Sequence, residues 1–137
     1  MQLHMNIICR KAGLKDVFYV FSLRNLASDR ELYLSTKRIS LLQHLSFWLR
    51  YWHCYSICWA GSTRIGYCGI VKDDFRFAVE PKYRGKGFGK NIIKVNIDFL
   101  RGKLVRVKKE NKASLKSFEA NGFKIVGQDD NCLYLQF

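Results

Sequence analysis

Three glycines at alternate positions, Gly85, Gly87 and Gly89, lie in VEPKYRGKGFGKNII (79–93), between an apolar stretch and an amphipathic one. Glycine loses more backbone freedom on folding than any other residue, so three of them imply a backbone path that side chains would block. The segment leads from a strand-like FRFAV (75–79), through the chain's single proline, Pro81, into a helix-like run. A helix beginning there presents unpaired N–H groups and the positive end of its dipole, and the two together attract an anion. Arg84, Lys86 and Lys90 stand at the rim of that turn. Two widespread phosphate-binding spacings do not fit. The pattern is G-x-G-x-G, not G-x-G-x-x-G, and no Gly-Lys-Ser/Thr triplet occurs.

Hydrophobic periodicity places strands at about 5–10, 53–59, 64–71, 75–79, 104–108, 123–127 and 132–137. Helices are expected at 17–23, from Ser40, from the glycine segment to Gly102, and from Asn111 to the Asn121-Gly122 stop. The helix capped by Ser40 is expected to bury Leu41, Leu42, Leu45, Trp48 and Leu49. The helix after the glycines is expected to bury Ile92, Ile93, Val95, Asn96, Phe99 and Leu100. The order β-α-α-β-β-β-α-β-α-β-β is that of an α/β fold with helices on the faces of a sheet. At 137 residues the chain reads as one domain, 1–137.

Twenty-four Lys and Arg face eleven Asp and Glu, a formal charge of +13 spread along the whole length. Such a field favours anionic partners such as a phosphorylated cofactor or a nucleotide, and equally nucleic acid or an anionic membrane. No RNA-binding aromatic signature or helix-turn-helix spacing supports nucleic acid. No apolar run approaches 18 residues and Met1 to Arg10 lacks a signal peptide's apolar centre, so neither export nor a membrane anchor is expected. Five cysteines with no Cys-x-x-Cys suggest a reducing, cytoplasmic compartment. His53, Cys54 and Cys58 are the nearest approach to a metal cluster. Cys54 and Cys58 read instead as small core residues on one face of a strand, and no metal is expected.

The run Val79, Pro81, Arg84, Gly85, Gly87, Gly89 resembles the acetyl-CoA-binding motif of the GNAT N-acetyltransferases. A second match follows in ENKASLKSFEANGF (110–123), where Asn111, Ser114, Phe118, Gly122 and Phe123 fit the pattern that family carries after its fifth strand. The resemblance covers essentially the whole chain. It implies a mixed central sheet of about seven strands, splayed after the fourth, with about four helices on its faces. It also implies that the backbone from Arg84 through Lys90, Phe88 included, wraps the pyrophosphate of acetyl-CoA. The pantetheine arm would pair with Phe77 and Val79, an N–H near Val79 would meet the thioester oxygen, Asn111 would hold an arm amide, and Phe118 would pack beside the sulfur.

Many family members use a glutamate five residues before that asparagine and a tyrosine seven after it. Here those positions hold Arg106 and Phe118, which can neither accept nor give the required proton. The catalytic candidates left are His44 and Glu80 as bases and Tyr83 and Ser114 as acids. For His44 and Glu80 the plainer alternative is a surface role. LRN (23–25), Arg30 and ISLLQHLSFW (39–48) are similar to a pattern in acetyltransferases of nucleotide-linked 4-amino-sugars. That resemblance makes Arg24, Asn25, Arg30, His44 and Trp48 acceptor-side candidates, with core packing the alternative for Trp48. The expected partner is a small-molecule amine, best matched by a sugar nucleotide, with the protein a monomer or a homodimer. A protein or other small amine remains the alternative acceptor, and a GNAT-fold nucleic-acid binder without chemistry the alternative function.

Overall fold

The computed structural model describes residues 6–26 and 38–137. Strands β1 (Ile7–Lys11), β2 (Tyr55–Ala60), β3 (Thr63–Val71) and β4 (Asp74–Val79) form one antiparallel sheet in that order. Strands β5 (Val105–Lys108), β6 (Lys124–Gln128) and β7 (Cys132–Gln136) form a second, with β7 in the middle. The seven strands thus separate after the fourth, as expected, and β4 and β5 line the gap. Every ladder within the two sheets is antiparallel.

Each face of the first sheet has its own core. On one side α1 (Val17–Arg24) and α2 (Leu41–Tyr51) lay Val20, Leu23 and Trp48 against Tyr55, Ile57, Tyr67 and Ala78. On the other, α3 (Phe88–Val95) and α4 (Ile97–Leu100) bring Ile92, Ile93 and Leu100 against Cys58, Ile65 and Val79. The second sheet and α5 (Lys112–Glu119) join that second core through Val105, Val107, Phe118 and Leu135. No helix among the described residues is long and apolar enough to cross a membrane.

Three expectations need correction. Ser40 does cap α2, accepting from Gln43 N–H while Gln43 accepts from Ser40 N–H. The buried row of α2, however, is His44 and Trp48, and Leu42 and Leu49 are 79% and 70% exposed. The indole N–H of Trp48 donates to Leu14 O, and its ring stacks on His44 and tilts against Tyr55, which sets the helix rotation. The helix after the glycines breaks at Asn96, which exposes Val95 and Phe99. Cys54 belongs to a short 3-10 turn before β2, so it packs in the first core while Cys58 packs in the second.

Candidate active site

Among the described residues β4 has a ladder partner on one side only, which leaves peptide groups turned to its other edge. In an extended strand a residue's N–H and C=O point the same way and alternate along the chain. Glu80 N–H donates to Ile65 O at 2.8 Å, so Glu80 and Ala78 face β3. Phe77 and Val79 therefore turn their peptide groups to the open edge. The side chain of Arg84 reaches back to this edge, its Nε donating to Val79 O at 2.9 Å, so this arginine ties the glycine loop to the end of β4.

Two clefts open beside this edge. The first, of about 550 Å³, is lined by Phe77, Ala78, Val79, Tyr83 and the loop through Lys90, with Asn111 and Ser114 on its far wall. Gly85 and Gly87 hold φ of 76° and 85°, the left-handed region, and Gly87 is the N-cap of α3. An added Cβ at either would meet nothing within 4 Å, so side chains there would occupy space that the glycines leave open. Phe88 is buried and anchors the helix start, with Tyr83 edge-on to it. The ammonium groups of Lys82 and Lys86 lie over the Tyr83 ring.

The second cleft, of about 380 Å³, shares Phe77, Asn111 and Ser114 with the first, so the two meet there. Among the described residues four cations line it, Arg24, Arg76, Arg106 and Lys108, with Asp74 the one carboxylate. Asp74 pairs with Arg76 at 3.4 Å and with Arg106 at 3.8 Å. The guanidinium groups of Arg24 and Arg76 both lie over the ring of Phe47, at 4.5 and 5.7 Å.

The sequence candidates separate into those that line a cleft and those that do not. Phe77, Val79, Arg84, Gly85, Gly87, Phe88, Gly89, Lys90, Tyr83, Asn111 and Ser114 line the first cleft, and Arg24 and Phe118 line the second. Asn111 also caps α5, its Oδ1 accepting from Ser114 N–H at 3.2 Å. Phe118 is a core ring, packed edge-on against Phe75, Phe77 and Phe123. Trp48 is buried and lines neither cleft. Asn25 spends both side-chain groups on the backbone of Ile39, at 2.7 and 2.9 Å. Glu80 accepts from the Tyr19 hydroxyl at 3.0 Å and lines neither cleft, while burial and then the Glu80 charge push that hydroxyl above its usual range. Arg30 lies outside the described residues. Sequence reading missed Phe47 and Arg76, which come from α2 and β4, and took Asp74 for a turn residue where the structure makes it the first residue of β4. The one signal for Arg76 was a charge in an otherwise apolar strand.

His44 is fully buried, with both ring nitrogens engaged. Val17 O can only accept, so Nε2, 2.9 Å away, carries the proton; Arg24 can only donate, so Nδ1, 3.0 Å from its Nη1, is the lone pair. Burial first, and the Arg24 charge with it, hold the imidazole below its ordinary range, against the opposing pull of Val17 O. With Nδ1 occupied, His44 orients Arg24 and has no lone pair to offer a substrate proton.

The sequence profile described as "Acetyltransferase (GNAT) family" matches residues 21–123. The chain belongs to this family. A stretch of 79 residues is 32% identical to the N-alpha-acetyltransferase RimI of Mycobacterium tuberculosis (strain ATCC 25618 / H37Rv), covering 50% of each chain. The chain thus spans about half the length of the curated relative it matches. The crystal structure of a Vibrio cholerae spermidine N-acetyltransferase with CoA and spermine superposes with a TM-score of 0.78, at 18% identity over 96% of both chains. The Salmonella typhimurium protein yncA, with its cofactor acetyl-CoA, gives 0.72 at 16% identity over 96% of this chain and 93% of that one. At these identities the two structures bear on the fold.

Proposed function

We propose that this GNAT protein transfers an acetyl group from acetyl-CoA to the primary amine of an acceptor that also carries phosphate or carboxylate groups, a nucleotide-linked amino-sugar being the best-matching class. The first cleft fits the cofactor. The open positive-φ glycines and the α3 N-terminus suit a pyrophosphate, and the outward peptide groups of Phe77 with the N–H of Val79, whose C=O Arg84 already holds, suit an amide-bearing arm added as a strand. Bound acetyl-CoA would supply an activated thioester, and the Val79 N–H would donate to the oxygen that gains charge as the amine attacks, typically about 3 kcal/mol of stabilisation.

The observation that carries the acceptor reading is the lining of the second cleft, which among the described residues is four cations against Asp74. Like charges disfavour a polyamine there, and paired guanidinium groups favour phosphate or carboxylate. The similarity to RimI favours a second reading, acetylation of a protein N-terminal amine.

Free-thiol release from acetyl-CoA separates these readings when a nucleotide-linked amino-sugar, spermidine and a peptide with a free N-terminus are compared. The sugar nucleotide is expected to turn over fastest, and Arg106→Ala to raise its KM about tenfold, the loss of one charge-assisted hydrogen bond. Spermidine as the best acceptor would refute the anionic reading. The peptide as the best acceptor would establish the second.

A further inference from the structure

The face of β1, β2 and β3 that packs beneath α3 holds three thiols that line neither cleft. Cys9 and Cys58 stand opposite each other in the β1–β2 ladder. Cys68 enters from β3 diagonally, since Cys58 itself faces Gly66, which has no side chain to fill the space between. The Sγ atoms form a triangle with sides of 3.3 Å (Cys9–Cys58), 3.8 Å (Cys58–Cys68) and 3.9 Å (Cys68–Cys9). Cys58 and Cys68 are buried, and half-buried Cys9 gives the triangle a side open to solvent. The sequence grouped Cys58 with Cys54 and His53; the fold groups it with residues 49 and 10 positions away.

Three sulfurs bound to one metal at a bond length of about 2.3 Å lie about 4.0 Å apart in a trigonal plane and about 3.8 Å apart in a tetrahedron. Two sides of the triangle are close to these lengths, and the third, at 3.3 Å, needs to open by about 0.5–0.7 Å, within the reach of one χ1 adjustment at Cys9. Among the described residues these three are the one such group of His, Cys, Asp and Glu ligand atoms. The polar neighbour is Asn96, whose amide N–H groups lie 3.6 Å from Cys68 Sγ and 2.8 Å from Ile92 O. A donor so placed stabilises a thiolate and is not itself a ligand.

We propose that Cys9, Cys58 and Cys68 form a three-thiolate site for a soft, closed-shell cation, best suited to Cu(I). Thiolates select Cu(I) and Zn(II) over harder ions. A structural zinc site takes four ligands, and these residues supply three. Cu(I) is satisfied by three sulfurs in a plane. Binding exchanges three thiol protons for one cation, with no change of oxidation state. The resulting negative site lies in a chain of formal charge +13. The proposal does not depend on the acetyl-transfer reading.

The test is anaerobic titration of the reduced full chain with Cu(I) in competition with a chromogenic Cu(I) chelator, followed by X-ray absorption at the copper edge. One equivalent is expected, with three sulfur neighbours at about 2.3 Å. Cys9→Ala, at the half-buried corner, is expected to keep the fold by circular dichroism and to weaken Cu(I) at least tenfold. The Cys54→Ala/Cys132→Ala double variant is expected to retain full affinity. Unchanged affinity in Cys9→Ala, a two-sulfur spectrum, or tighter binding of Zn(II) than of Cu(I) would each overturn the proposal. So would a protein that takes up no Cu(I) and forms only a Cys9–Cys58 disulfide in air.

Discussion

Gly66 in β3 stands opposite Val79, where β4 meets the first cleft. A Cβ built there would lie 2.0 Å from Ala78 O, 3.0 Å from its carbonyl carbon and 3.1 Å from Val79 Cα. All three are backbone atoms, so no rotamer can relieve the contact. Reaching van der Waals separation requires the end of β4 to move by about 1–1.5 Å. Gly66→Ala should therefore cost about 1–3 kcal/mol, in the range of core overpacking, which for a chain of this size is a fall in Tm of about 3–10 °C. The same displacement carries the outward N–H of Val79 away from an arm lying along the edge. The loss of one hydrogen bond, about 1 kcal/mol, predicts acetyl-CoA affinity down about fivefold to tenfold. Differential scanning fluorimetry and titration calorimetry read the two effects. Gly61→Ala is the control: its φ of 62° brings strain, but nothing lies within 4 Å, so stability should fall and affinity should not. If Gly66→Ala keeps wild-type Tm and acetyl-CoA affinity, Ala78 O does not lie against position 66.

Two further outcomes are expected. Gly87→Val forces a β-branched residue into a φ of 85°, at a cost of about 1–2 kcal/mol, and fills the space over the loop; calorimetry should show acetyl-CoA binding largely lost, and intact binding would remove the pyrophosphate from this loop. Because His44 is held below its usual 6.5, the unfolded chain takes up a proton there first as pH falls. The stability it contributes above pH 6.5 should thus decline below that point, by up to about 1.4 kcal/mol per pH unit, and denaturant titrations of His44→Gln should lack that share of the slope. An unchanged slope would mean that His44 is not held neutral.

The first cleft was legible in the sequence because its demands fall on contiguous backbone. Gly85 and Gly87 have to adopt positive φ, and Asn111 has to cap α5 three residues before its partner N–H, so spacing alone exposes them. The second cleft was not legible in this way. Phe47, Arg76 and Arg106 come from three elements, and their neighbourhood exists only once α2 is rotated onto the sheet. That rotation was itself misread. The leucines at 41, 42 and 49 form an apolar stripe as persuasive as the real one, and the choice was made by a tertiary contact, Trp48 to Leu14 O, that periodicity cannot display. His44 was misread for the same reason. An imidazole on a helix suggests proton transfer until its two partners are seen.

The absence of a carboxylate at position 106 has a physical counterpart in what replaces it. Attack on a thioester requires a neutral amine, and a general base is one way to supply it. A second way is to make the ammonium form unfavourable where the reaction occurs. Nearby like charges lower the pKa of a bound cation. Arg106 and Lys108 line the second cleft from β5, beside the Phe77, Asn111 and Ser114 junction where it meets the first. An ammonium brought there would face these cations, with Asp74 already shared between Arg76 and Arg106. Phosphate or carboxylate groups on the acceptor would supply the attraction that the amine lacks, towards Arg24, whose direction is fixed by the lone pair of His44. In the proposed reading the arginine at position 106 and the anionic character of the acceptor are two sides of one arrangement: the acceptor is held by its negative end so that its amine can be positioned unprotonated.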